Sequence, residues 1–109
     1  MTRSDTAVTL FRGRANCAQA VLQAFAPEHG LDESTAQKLA SGFGGGIAGL
    51  QHTCGAVTGA CMALGLAVGS READPAAAKD ATRAAIREFW VRFEALHGAT
   101  SCRDLLGVD

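Results

Sequence analysis

The stretch Cys54-Gly55-Ala56-Val57-Thr58-Gly59-Ala60-Cys61-Met62-Ala63-Leu64-Gly65-Leu66-Ala67-Val68 decides the fold. It holds no charge and no proline, and its length exceeds that of an ordinary strand, so it reads as a helix. Gly55, Ala56, Gly59, Ala60 and Ala63 make one side of that helix nearly smooth. Small residues at this spacing let a neighbouring helix approach closely. The segment is therefore expected to lie at the centre of a helical protein, starting after Thr53 as its N-terminal cap.

Working outward, the flanking segments show the same helical grammar. A short amphipathic helix is expected from about Asp5 to Arg12, ending near Gly13. Asn16 restarts the chain as a cap with Gln19 in capping-box position, and Val21, Leu22, Phe25 and Ala26 form an apolar face before Pro27 and Gly30. Asp32 and Thr35 open a third helix through Ala36, Leu39 and Ala40 to Gly42. Asp74, with Pro75 at the favoured first position, begins the longest helix, which runs to about Leu96 before Gly98 and buries Ile86, Phe89, Trp90 and Phe93. Ser101, with Asp104 three residues on, starts a short last helix through Leu105 and Leu106. No segment reads as a strand. The expectation is one all-α domain over residues 1–109, a bundle of five to six helices with a glycine-rich loop before the central one.

That loop carries Gly42, Gly44, Gly45, Gly46 and Gly49. Glycine at this density opens backbone angles closed to other residues and allows a ligand or another chain segment to approach. Gly44, Gly45 and Gly46 are thus candidate cofactor-binding positions, against the plain alternative of a flexible connection. No Gly-Lys-Ser/Thr follows and no strand precedes, so neither a phosphate loop nor a dinucleotide fingerprint is present.

Ten basic residues against eleven acidic ones give a net charge of −1, and the arginines are scattered, which excludes a nucleic-acid footprint. No segment reaches the roughly 18 apolar residues of a membrane span, and Met1 to Arg14 has no export pattern. A cytoplasmic location is the default expectation, and there four cysteines point to metal binding, redox cycling or catalysis sooner than to structural disulfides.

Three of the four cysteines follow a capping residue: Asn16 before Cys17, Thr53 before Cys54, Ser101 before Cys102. A sulfur at a helix start lies beside unpaired N–H groups and the positive end of the macrodipole, which favour thiolate. Cys54 is the leading nucleophile, with His52 two residues before it as a local base or thiolate-stabilising cation. Cys61, seven residues beyond Cys54, lies about 10 Å further along the same helix and cannot pair with it. It fills core space or joins a site between helices. His29 and His97, each before a helix-ending glycine, suit interaction with the last carbonyls.

The segment CGAVTG from Cys54 to Gly59 resembles the CGAxxG element of the C_GCAxxG_C_C family, described as redox-active proteins. The segment from Asn16 to Leu22, the glycine-rich stretch Ser41 to Gly46 and the segment from Ser101 to Gly107 resemble that family's other conserved parts. Family members usually continue into a further helix with a fourth motif cysteine, which the sequence ending at Asp109 lacks. The resemblance implies thiol redox chemistry without naming a reaction.

Three readings follow. In the first, Cys17, Cys54 and Cys102 exchange dithiols and disulfides or transfer electrons with a redox partner protein or a small thiol. In the second, Cys17, Cys54, Cys102 and Cys61 hold a metal or an iron–sulfur cluster, although no CxxC occurs. In the third, the chain is a helical interaction module with structural cysteines. The aromatic-bearing long helix is also a candidate face for a homodimer.

Overall fold

The computed structural model describes residues 2–106 and is all-α. Six helices follow one another: α1 (Arg3–Arg12), α2 (Cys17–Phe25), α3 (Glu33–Ala40), α4 (Gly55–Gly69), α5 (Pro75–His97) and α6 (Cys102–Leu106). Two 3₁₀ turns extend α2 and α3, over Ala26–His29 and Ser41–Phe43. Among the described residues there is no strand, only an isolated antiparallel bridge between Thr53 and Ser101. No described helix is long and apolar enough to cross a membrane.

Most helix ends are set locally. Asn16 and Gln19 form the capping box of α2, the Asp32 carboxylate accepts from Thr35 N–H, and Asp74 does the same for Ala77 ahead of Pro75. The glycines after His29 and His97 take left-handed caps, Gly30 at φ 91° and Gly98 at φ 81°. α1 begins earlier than Asp5, because Thr2 and Asp5 form a capping box of their own.

Two expectations are corrected. Thr53 does not cap α4: it is held in the bridge with Ser101, and the cap position falls to Cys54, whose carbonyl accepts from the Val57 and Thr58 N–H groups. The aromatic face of α5 is half-buried, and no residue of that helix is fully buried, because α5 packs mainly on one neighbour, α4.

The core lies between α2, α3 and α4 and consists mainly of alanine: Ala18, Ala26, Ala36 and Ala40 are fully covered, with Leu22 among them. Small side chains give up apolar area individually but let helix axes approach, so backbone contacts replace side-chain bulk. The closest approach is between α2 and α4. A Cβ placed on Gly55 would lie 2.8 Å from Ala18 N, and one on Gly59 would lie 2.9 Å from Ala18 O. Residues four apart share one helix face. The two glycines of CGAVTG therefore cut a single notch in α4, and α2 sits in it at Ala18.

Candidate functional site

Four devices bring the motif cysteines to one end of the bundle. The first is the notch itself. A Cβ on Gly55 would also lie 2.9 Å from Cys17 Cβ, so the start of α2 is seated directly against the start of α4, beside Cys54.

The second is the bridge. Cys54 N–H donates to Thr100 O (2.7 Å), Cys102 N–H to His52 O (2.5 Å) and Arg103 N–H to Gln51 O (3.3 Å). These bonds zip residues 51–54 to residues 100–103 and set Cys54 and Cys102 diagonally across the Thr53–Ser101 pair. Ser101 Oγ meanwhile accepts from Asp104 N–H (3.1 Å) and caps α6, so Cys102 starts that helix as the sequence predicts.

The third is the glycine loop. From Gly45 to Gly49 every φ is positive, including those of Ile47 (68°) and Ala48 (50°), and Gln51 (62°) is positive as well. Left-handed backbone costs a non-glycine residue roughly 1–2 kcal/mol. The loop is held by its own bonds, among them Ala48 N–H to Gly42 O (2.7 Å), Gln51 N–H to Gly45 O (2.9 Å) and His52 N–H to Gly46 O (2.8 Å). Strain retained in this way concentrates where a fold positions functional groups.

The fourth is the use of the glycines as docking points for protein. The Cβ that Gly44 lacks would fall 2.6 Å from Asn16 Cβ, that of Gly45 2.9 Å from Gly49 Cα, and that of Gly46 2.6 Å from Cys102 Cβ. Gly44 therefore receives the residue before Cys17, and Gly46 receives Cys102. The space over all three candidate cofactor-binding glycines is taken by the chain.

Asn16 ties the loop to α2 by more than its cap. Its Oδ1 accepts from Gln19 N–H (2.8 Å) while its Nδ2 donates to Ser41 O (3.2 Å), a second role that an aspartate cap, which has no donor, could not fill. Sequence reasoning found the cap and missed the tether, and the choice of an amide at a cap position was the available signal. It also missed Ala18 and the contact partner of Gly55, for which the GxxxG spacing was the only hint.

The thiols sense one another. Cys17, half-buried, has its pKa raised by burial first and then by the negative charge that Cys54 and Cys102 would carry as thiolates. Cys102 is buried and Cys54 half-buried, and all four cysteines are free thiols. The sulfur of Cys54 makes no capping hydrogen bond, so what α4 offers a Cys54 thiolate is the field of a 15-residue helix. Cys61 stands apart on α4, its pKa raised by burial alone. His52 is exposed, and among the described residues its ring makes no hydrogen bond or ion pair. No described group of three or more His, Cys, Asp or Glu side chains is disposed to hold a metal ion.

Two clefts flank the cysteines. One, of about 460 Å³, is polar and lined by His52, Thr53, Ser101, Arg103 and Asp104. The other, of about 410 Å³, runs between α1 and the α2–α4 pair and has Cys17 in its wall. The whole arrangement puts one cysteine at the start of each of three helices, with a solvent route to the group.

Over residues 15–109 the chain matches the family described as "Putative redox-active protein (C_GCAxxG_C_C)". No curated protein and no solved structure matches the chain. The match spans all three motif cysteines and most of the sequence.

Proposed function

We propose that this chain, which belongs to the C_GCAxxG_C_C family of redox-active proteins, is a thiol–disulfide exchange protein in which Cys54 and Cys17 form the working dithiol. The observation that carries this reading is the seating of Cys17 Cβ in the space left by Gly55, the residue after Cys54.

Cys54, at the start of the 15-residue α4, is the proposed nucleophile. Cys17 is held as a thiol by burial first and then by its two neighbours, and it gives up its proton more readily once Cys54 has lost its charge by bonding to the substrate sulfur. In the exchange, the Cys54 thiolate attacks one sulfur of a substrate disulfide, the S–S bond breaks, and the departing sulfur takes the Cys17 proton. The Cys17 thiolate so formed attacks Cys54 Sγ and expels the first substrate sulfur as a thiolate, which picks up a proton from water. The substrate gains two electrons and two protons, and the protein gains a Cys17–Cys54 disulfide. Cys102, the buried third thiol, takes no part in the exchange.

Oxidation of the reduced protein with a slight excess of diamide, followed by peptide mapping, tests this. The expected product is a Cys17–Cys54 disulfide that Cys54→Ser abolishes. Recovery of both residues as free thiols would overturn the reading. So would stoichiometric metal in anaerobically purified protein that is lost on replacing these cysteines.

A further inference from the structure

The cleft between α1 and the α2–α4 pair is more than a gap in packing. Val8 (48 % exposed) and Phe11 (54 % exposed) on α1 face Val21 and Ala56 across it, and Cys17 stands in the same wall. Arg12 lines the same cleft and, among the described residues, makes no ion pair. A volume of about 410 Å³ falls in the range that holds a small molecule. Its chemistry is that of an apolar chain carrying an anion at one end, with a sulfur-reactive group within the apolar part.

We propose that this cleft admits the reductant that regenerates the protein, a low-molecular-weight aliphatic dithiol with a terminal carboxylate, and presents it to Sγ of Cys17. The proposal rests on the Cys17–Cys54 dithiol reading. The chain packs along Val8, Phe11 and Val21, and the carboxylate pairs with Arg12. One thiolate of the dithiol attacks Cys17 Sγ of the oxidised protein, the Cys17–Cys54 bond breaks, and Cys54 leaves as a thiolate at the start of α4. The second thiol of the reductant then attacks its own sulfur in the mixed disulfide and releases Cys17, which takes up a proton. The reductant ends as a cyclic disulfide, having lost two electrons, and the protein regains both thiols. Attack at Cys17 is the productive direction, because the sulfur that leaves is the one the helix field stabilises.

The test uses the oxidised full chain and three probes: dihydrolipoate, dihydrolipoamide with the same chain but no carboxylate, and the polar dithiothreitol. Rates are followed by recovery of protein thiols. Dihydrolipoate is expected to saturate and, at low concentration, to outpace dithiothreitol by about tenfold or more. Arg12→Gln is expected to raise its half-saturation about two- to fivefold and to leave dihydrolipoamide unchanged. Val8→Asp, which places a carboxylate in the apolar wall, is expected to remove saturation by both aliphatic dithiols and to abolish the rate advantage of dihydrolipoate over dithiothreitol. Equal, non-saturating rates for all three probes, insensitive to either variant, would overturn the proposal and leave the exchange reading standing. If oxidation yields no Cys17–Cys54 disulfide, the exchange reading itself falls, and this proposal with it.

Discussion

Replacing Gly55 by alanine isolates the notch from every other feature of the site. The residue has an ordinary helical backbone, so alanine introduces no strain of its own and would gain helix propensity, by up to about 1 kcal/mol in an interior position and less at this first one. Against that gain stand three contacts: the new methyl would lie 2.8 Å from Ala18 N, 2.9 Å from Cys17 Cβ and 3.2 Å from Phe43 O. Favourable carbon–carbon separation begins near 3.5 Å, so α2 and α4 must part by roughly half an ångström or more at this point. Two of the three atoms are backbone and cannot swing aside. Overpacking of this kind costs about 1–3 kcal/mol, which leaves a net loss of about 1–2 kcal/mol after the propensity gain. Urea unfolding followed by far-ultraviolet circular dichroism measures it, with Gly42→Ala as the control, since a Cβ there meets nothing within 4 Å. The control is expected to be neutral or stabilising by about 0.4–1 kcal/mol. If about 1.4 kcal/mol of the strain is relieved by moving Cys17 away from Cys54, their disulfide becomes about tenfold less stable, a shift of about 30 mV measurable against a glutathione buffer. A Gly55→Ala protein as stable as the Gly42→Ala control would refute the notch and the account of the motif built on it.

Three further outcomes follow from the same geometry. At neutral pH, iodoacetamide is expected to modify Cys54 first, Cys17 more slowly and buried Cys102 last, as read by mass spectrometry of timed digests; His52→Gln should leave the Cys54 rate within about twofold, because no contact joins the two side chains, and a Cys17-first order would contradict the assignment. The raised pKa of Cys17 means the folded state holds that proton more tightly than the unfolded chain, so its contribution to stability is complete below the ordinary thiol value of about 8.5 and is lost as pH rises through the higher folded value. Urea midpoints should therefore fall as pH rises above about 8.5, and fall less in Cys17→Ala; identical slopes would remove the linkage. Asn16→Asp keeps the cap acceptor but loses the amide that donates to Ser41 O, and is expected to cost about 1–2 kcal/mol in urea unfolding, whereas an isolated cap would tolerate it.

The helices were legible because their signals are local. Asn16 with Gln19, Asp32 with Thr35, Asp74 with Pro75 and Ser101 with Asp104 each settle a helix start within four residues of chain, and each start is where the pattern places it. Thr53 failed for the opposite reason. Its cap chemistry is local, but its backbone is paired with Ser101, 48 positions away in the chain, and that pairing moves the start of α4 onto Cys54. The left-handed run through Ile47 and Ala48 was equally hidden, since neither residue type favours it and only the surrounding bonds hold it.

The candidate site follows the same division. That Cys17, Cys54 and Cys102 belong to helix starts could be read from neighbouring residues; that the three starts meet could not. Convergence depends on what each glycine faces, and a glycine in sequence does not name its partner. Gly44 meets Asn16 and Gly46 meets Cys102, so two positions that read as conformational freedom or as room for a ligand are contacts between segments far apart in the chain; Gly55, read as part of a smooth packing face, meets Cys17 and Ala18. Each removes one Cβ where a larger residue would push a cysteine-bearing segment outward. On this account the motif's glycines and its cysteines are one device: the glycines set how near the thiols stand, and that nearness adds to burial in raising the pKa of Cys17. An alanine at any of the three should therefore disturb the thiol pair before it disturbs the helices, in the order in which the displaced atoms lie closest to Cys17.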